Sequence, residues 1–539
     1  MTARDPEDQQ TNAAPKTEHS LLKILPYLVL FVSAWAVFGE TTDDPFITFR
    51  YAANFASGYG AVYNAGERVE GFTSWLHLLA CSVLYILLPS VGLLLKAKLL
   101  SLICGGVVLY QTGRLAAKLS LTPSMTLAAQ LLLAFNLNFA IASVNALETT
   151  LFTAVLLSAV SRFVVEMERE DGILSGLLLF LACFTRPEAL IYVVFLIGFR
   201  LYLWRQKQLS RRFVVGWLLW FAVPMALFLA FRLAYYGYPF PNTYYAKSVT
   251  LTYGITNGLP YLRQPFLPHS GLFVRYPIIM AGIIGYWALA LFGMISSRRE
   301  AKIQLLTLLV LGSLIFILRV GGDWMSGCRF LIPVLPFVTL LQVRGIVSLA
   351  QKRAEPSRPK IQFALVALTL FVISGGYFGF PLGLWTKRGS PLRDDRLLAS
   401  CAHPYGQTWI TIGQFFREAL PPGASIAYSE VGYAAYLNRD KHFLDTFGLT
   451  DKEIAHVEGV ERCRFGVVTM FWNPPSDPVQ QILRRRKPDY VIIGSVAMPN
   501  PMPQRLMQDY EPMPLPPKWK TRLVATQFGF YRRLEELPL

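Results

Sequence analysis

Apolar stretches of spanning or near-spanning length follow one another along most of the chain, at about 21–39, 73–89, 97–113, 124–141, 149–165, 173–185, 188–204, 213–234, 276–296, 303–319, 329–345 and 361–383. A helix needs about 20 residues to cross the hydrocarbon core, so the shortest runs either recruit flanking residues or fail to cross. Short basic clusters separate several of them: Arg205/Lys207/Arg211/Arg212, Arg298/Arg299/Lys302 and Lys352/Arg353/Arg358/Lys360. Connections rich in Lys and Arg face the cytoplasm. This sets the expected orientation, with 145–148, 186–188, 235–275 and 321–329 outside and 166–171 inside. The first twenty residues read as a cytoplasmic tail and the first run as an uncleaved span. Parity then requires one run between 73 and 142 to be interfacial, re-entrant or fused with its neighbour. The 73–89 run is expected to be that one, which leaves about 11 spans.

The pattern changes near residue 385, where Pro, Arg, Asp and other polar residues return. Short alternating segments predict strands at 424–428, 442–445 and 489–494, and helices at 407–420 and 479–486. No solenoid period is visible. The expected fold is therefore a polytopic α-helical membrane protein with a C-terminal soluble α/β domain. Residues 1–20 form the tail, 21–384 the transmembrane module with its first external loop at 40–72, and 385–539 the domain on the external face.

Composition agrees with that division. Of 539 residues, 53% are hydrophobic and 16% charged, against about 45–50% and roughly 25% in an average globular domain. An ordinary soluble enzyme, a disordered chain and a disulfide scaffold are excluded. The formal net charge of +17 does not indicate nucleic acid, because the basic residues sit in short loops and form no stripe interleaved with aromatics. Of the six cysteines, Cys81, Cys104 and Cys183 lie in apolar runs and read as packing residues. Cys328, Cys401 and Cys463 lie outside them, and none has CxxC spacing. The external face permits disulfides, so Cys401 and Cys463 either pair or remain separate buried thiols.

Charged groups next to spans are candidates for function, because ionisable side chains facing lipid are costly. On the expected topology one face collects Asp43/Asp44, Asn64/Glu67/Arg68/Glu70, Asn145/Glu148, Arg186/Glu188, Asn242/Lys247 and Asp323/Arg329. The Asp43-Asp44 pair could supply a general base for an acceptor hydroxyl, which is a poor nucleophile until its proton is removed. The alternative is a pair that caps the helix after it. Arg186 with Glu188 could be a self-neutralising pair, Asp323 with Arg329 an intramembrane salt bridge, and Asn145/Glu148 a helix-start cap. Lys247, Arg329 and Arg186 are cations suited to a leaving phosphate at the membrane surface.

The motifs together resemble those of a known family. Asp43-Asp44-Pro45-Phe46-Ile47 through Arg50-Tyr51, followed by Asn64-Ala65-Gly66-Glu67-Arg68-Val69-Glu70-Gly71, resembles the first loop of membrane-embedded GT-C glycosyltransferases. Asn145-Ala146-Leu147-Glu148-Thr149, Thr185-Arg186-Pro187-Glu188, Pro241-Asn242-Thr243-Tyr244-Tyr245-Ala246-Lys247 and Gly321-Gly322-Asp323-Trp324-Met325 with Arg329 resemble motifs of the terminal arabinofuranosyltransferase branch. So do Val431-Gly432-Tyr433 and Asp445-Thr446-Phe447-Gly448-Leu449. The resemblance covers roughly residues 21–450.

It implies an inverting transfer from a polyprenyl-phosphate-linked sugar to an envelope glycan, glycolipid or glycoprotein. The expected location is the periplasmic face of a bacterial inner membrane. Asp43 matches the leading acid of the first-loop motif and is expected to be the base, with Asp44 beside it. Arg50, Arg186, Lys247, Arg329 and Asp323 are expected at the donor phosphate and sugar. Asn64, Glu67, Glu70, Glu148, Glu188 and Asn242 are expected at the acceptor or sugar. The one cofactor this set of side chains leaves open is a divalent cation. A transporter or flippase is the rival from another class, but it would carry its charges near the midplane and show repeats. A non-catalytic subunit of polysaccharide assembly would not require the Asp pair.

Overall fold

The computed structural model describes residues 18–170, 172–262, 277–323, 325, 327–374, 394, 406–457, 477–493, 508–524 and 528–534. Cys401, Cys463 and the boundary near residue 385 lie outside the described residues. The four other cysteines are buried free thiols.

Helices dominate up to residue 374. Among the described residues, four are long and apolar enough to cross a membrane: Leu93–Lys118, Thr149–Arg169, Arg211–Tyr236 and Ala301–Val320. Shorter apolar helices pack among them, including Trp75–Ile86, Pro123–Ala134, Leu174–Thr185 and Leu335–Gln351. The 12 residues of Trp75–Ile86 rise about 18 Å at 1.5 Å per residue, well short of a bilayer core of about 30 Å. Local signals set several helix starts. Ser74, Thr122 and Ser210 each accept a hydrogen bond from a backbone amide of the first turn, and Pro123 sits where the missing amide costs nothing. The apolar faces meet in one core that includes Leu156, Phe163, Trp217, Leu306 and Phe337.

The two ends of the bundle differ in chemistry. At one end Glu168 pairs with Lys118 at 3.0 Å and with Lys302 at 2.6 Å, which joins three helices. The expected cytoplasmic loops therefore meet one another. The opposite end carries the carboxylates and cations singled out above. Between that end and the following domain lies the amphipathic helix Pro45–Ala56, nine of whose residues are buried.

Residues 406–534 contain a five-stranded sheet: β1 Ser425–Tyr428, β2 His442–Asp445, β3 Tyr490–Ile493, β4 Tyr510–Pro512 and β5 Gly529–Arg533. The order is β2-β1-β3-β5-β4. β1 is parallel to β2 and β3, while β5 is antiparallel to β3 and β4. The helices Gly406–Ala419 and Pro517–Val524 cover one face through Phe415, Phe416, Trp519 and Leu523. The helix Asp477–Arg486 sets Leu483 against Ala427, Leu444 and Val491. The three predicted strands and two predicted helices are present within a residue or two of their expected limits. β4, β5 and Pro517–Val524 were not predicted.

Candidate active site

The polar residues of the first loop divide into two groups with different tasks, and the larger group binds protein. Arg50, expected at the donor phosphate, is 1% exposed and faces the α/β domain. Its Nε donates to the Tyr63 carbonyl at 2.8 Å. The remaining four N–H groups go to the carbonyls of Ala435, Asn438 and Lys441 and to Asn64 Oδ1. All five guanidinium donors are spent, and none is left for a ligand.

Asn64, expected at the acceptor, pairs with β2 like a backbone group. It donates to the Phe443 carbonyl at 2.8 Å and accepts from the Phe443 amide at 3.1 Å. Glu67 lies 3.3 Å from His442 and 3.6 Å from Arg486. Glu70 accepts from Trp75 Nε1 at 2.8 Å and from Arg232 Nε at 2.9 Å, which ties the loop to the helix Arg211–Tyr236. Asn242 donates to the carbonyls of Gly448, Leu449 and Asp451. These five side chains fasten the first loop and the 241–247 segment to their neighbours.

Asp43 belongs partly to the same seam. Its two oxygens accept from the amides of Gly432, at 2.8 Å, and Tyr433, at 2.7 Å. A Cβ at position 432 would overlap the Asp43 carboxylate and carbonyl, so this approach requires glycine. Burial pushes the Asp43 carboxyl well above the ordinary carboxylate range, and the charges of Glu430 and Asp44 add to the effect, while the Tyr433 and Gly432 amides oppose it. Asp44 occupies the N-cap position of Pro45–Ala56 but makes no capping hydrogen bond. Neither aspartate caps that helix.

The half-buried Asp44 lies within electrostatic reach of a second group of residues. The charges that act on it belong to Lys247, Arg329, Asp323 and Glu148, each from a different segment from its own. Burial raises the Asp44 carboxyl, Lys247 and Arg329 oppose that rise, and Asp323 and Glu148 add to it. Arg186 bridges Glu148 and Glu188, all three largely buried. Arg329 pairs with Asp323, brought to it by a turn that starts at Gly321, where φ is +85°. Both the Arg186–Glu188 pair and the Asp323–Arg329 salt bridge are therefore present. Glu148 sits at the start of Thr149–Arg169 without capping it. Burial favours its protonation, yet Arg186, Arg329 and His77 together hold its carboxyl below the ordinary range.

Lys247 is the exception in this cluster. It makes no ion pair or hydrogen bond through its ammonium with the described residues and is half-buried beside Asp44. Three polar atoms near the cluster are buried without a hydrogen-bond partner: Thr42 Oγ1, His77 Nδ1 and Thr149 Oγ1. A lone Thr or His next to a span has no pattern that singles it out in the sequence. Among the described residues no group of three or more His, Cys, Asp or Glu side chains is arranged to hold a metal ion.

Residues 401–533 match a family model described as a domain of unknown function (DUF8728). No curated protein matches the chain by sequence. Among solved structures, the chain is similar to ArnT from Cupriavidus metallidurans bound to undecaprenyl phosphate. The identity is 13% and the TM-score 0.53, over 98% of this chain and 100% of that one. It is also similar to the archaeal oligosaccharyltransferase AglB from Archaeoglobus fulgidus, in complex with an inhibitory peptide and a dolichol-phosphate. There the identity is 11% and the TM-score 0.52, over 97% of this chain and 75% of that one. At these identities the likeness is one of fold. The likeness is to the fold of ArnT and AglB and carries nothing about the arabinofuranosyltransferase branch.

Proposed function

We propose that the chain is an inverting glycosyltransferase that moves a sugar from a polyprenyl phosphate to a hydroxyl of an envelope glycan, glycolipid or glycoprotein. The observation that carries this reading is Asp44, a carboxylate free of capping duty that faces two cations at the membrane-proximal end of a GT-C fold. The acceptor oxygen attacks the anomeric carbon as the bond from that carbon to the phosphate oxygen breaks. The electron pair of that bond leaves on the phosphate, and the hydroxyl proton passes to Asp44. Lys247 and Arg329 meet the charge developing on the phosphate. The Glu148–Arg186–Glu188 group and the unpartnered Thr42, His77 and Thr149 atoms offer donors and acceptors for sugar hydroxyls. In this reading Asp44 takes the role that the motif assigned to Asp43, because the Asp43 oxygens already accept two backbone amides.

The site faces the periplasm of a bacterial inner membrane in this reading, by the distribution of basic loops. A pentofuranose such as arabinofuranose is the first donor sugar to try, on the strength of the motif resemblance. The direct test reconstitutes the protein in lipid with a synthetic prenyl-phospho-sugar and an acceptor glycan. Release of prenyl phosphate together with a new glycosidic bond is expected. Unchanged donor, with movement of a prenyl lipid between leaflets, would favour the flippase reading instead.

Two expected outcomes follow from the electrostatics. Lys247→Ala weakens binding of prenyl phosphate by about 1.5–3 kcal/mol, roughly 10–100-fold in Kd, and leaves acceptor affinity unchanged. Titration of the reconstituted protein with prenyl phosphate measures this. Because the Asp44 carboxyl keeps its proton to higher pH than an ordinary aspartate, kcat/KM falls as pH drops through that raised pKa and recovers above it. A pH–rate profile whose acid limb sits at or below the ordinary value of about 3.9 would count against Asp44 as the base.

A further inference from the structure

Resting on the reading of the site just given, we propose that Lys98 is a positioning residue for the transfer: one buried ammonium holds the Asp44-bearing and Glu148-bearing segments at a fixed spacing. Lys98 lies near the start of the helix Leu93–Lys118 and is 0% exposed. Its Nζ donates to the carbonyls of Phe38 at 3.0 Å, Glu40 at 2.6 Å and Val144 at 2.7 Å. An ammonium has three donors, and here three main-chain oxygens receive them. Phe38 and Glu40 end the stretch that leads from the first helix to Asp44. Val144 opens the turn that leads to Glu148.

The second of these segments needs holding. Ala146 has φ +61°, a left-handed conformation that costs energy in a residue with a Cβ. The same helix adds a second fastening one turn on. Ser101 Oγ donates to the Leu147 carbonyl at 3.3 Å, and Thr150 Oγ1 donates to the Ser101 carbonyl at 2.9 Å. A buried lysine is expensive unless its charge is fully solvated by the protein. An apolar residue at 98 would remove one buried donor from each of three carbonyls, of which that of Glu40 keeps the Thr41 hydroxyl. The arrangement therefore suits a long, flexible cation, and it adds a polar tie to two segments whose Val37, Phe38, Val144 and Ala146 share one apolar cluster. The three acceptors of Lys98 Nζ are main-chain carbonyls of the segments that carry Asp44 and Glu148. Lys98 acts on those two residues through the backbone.

The test compares Lys98→Met, Lys98→Arg and Asp44→Asn in the reconstituted full-length protein, with donor KM, kcat and prenyl-phosphate binding measured for each. Lys98→Met is expected to lower kcat by about 10²-fold, the scale of a small misplacement of catalytic groups, while donor KM and prenyl-phosphate binding stay near native. Lys98→Arg, which keeps the charge and N–H donors, recovers part of the rate. Should Lys98→Met fail to fold, Lys98→Gln is read in its place, since its amide retains donors on a shorter stem. Reduced kcat at unchanged donor KM sustains the inference. Native kcat in a folded Lys98→Met or Lys98→Gln overturns it, as does a loss of donor binding equal to the loss of kcat. If Asp44→Asn also transfers normally, the glycosyltransfer assignment of the site fails. If Asp44→Asn is inactive and Lys98→Met is normal, only the role of Lys98 fails.

Discussion

Asp44→Asn abolishes most transfer while leaving the protein folded and able to hold prenyl phosphate. The substitution keeps the shape of the side chain and removes only the group that takes the hydroxyl proton. Loss of general-base help alone is worth about 10²–10⁴-fold in kcat. Asp44 makes no capping hydrogen bond, so the asparagine leaves no helix terminus uncapped, and a fall in melting temperature is not expected. Removing a negative charge beside Lys247 and Arg329 also leaves those cations freer for a phosphate, so affinity for prenyl phosphate holds or rises. Turnover close to native in Asp44→Asn would remove this residue from the role. Asp43→Asn gives the contrast. It replaces one acceptor oxygen with an amide that cannot accept from the Gly432 or Tyr433 N–H, so its first effect is on the seam between loop and domain.

The second large effect is structural and comes from Arg50→Met. Losing the guanidinium strands four buried carbonyls and the Asn64 amide oxygen of one bond each. Four of these acceptors keep another donor, from Asn54, Asn438, Lys441 and Phe443, so the loss is that of hydrogen bonds to a charged group, about 1.5–3 kcal/mol apiece with substantial non-additivity. A net loss of about 3–5 kcal/mol is expected, which places the variant in the severe tail of single substitutions. The α/β domain should become the first part to open, seen as faster limited proteolysis within residues 406–534 and a lower melting temperature. Prenyl-phosphate affinity measured below that transition should be native. The reverse result, native stability with prenyl-phosphate binding lost, would return Arg50 to the phosphate site where the motif placed it.

Arg50 illustrates why the site was only partly legible in the sequence. An arginine, an asparagine or a glutamate beside a span is expensive without partners, whether those partners are a ligand or a set of carbonyls. Composition and spacing register the cost and do not reveal the partner. Asn64, Glu67, Glu70 and Asn242 were selected on that cost, and the partners the structure gives them are protein groups. Glu148, Arg186, Glu188, Lys247, Asp323 and Arg329 came from the same reasoning, and the fold brings them to one end of the bundle with Asp44.

Lys98 was passed over because a cation in an apolar helix near its end reads as an ordinary span terminus. Only the return of two distant segments to its ammonium reveals its part. In the α/β domain, β1, β2 and β3 were readable from compact apolar strings bounded by turn residues. β4, an edge strand of three residues, and β5, an interior strand with two arginines in five positions, lack that contrast.

The meeting of Asp43 with the backbone at Gly432 has a bearing on how such a molecule can be rebuilt. The α/β region and the 40–72 loop are far apart in the chain, yet each supplies half of one interlocking surface, with Arg50 and Asn64 reading main-chain positions in the other half. A chimera that exchanged the C-terminal region at a breakpoint near residue 400 would separate the two halves. An exchange that preserves activity has to transplant both segments together, as a single inherited cassette.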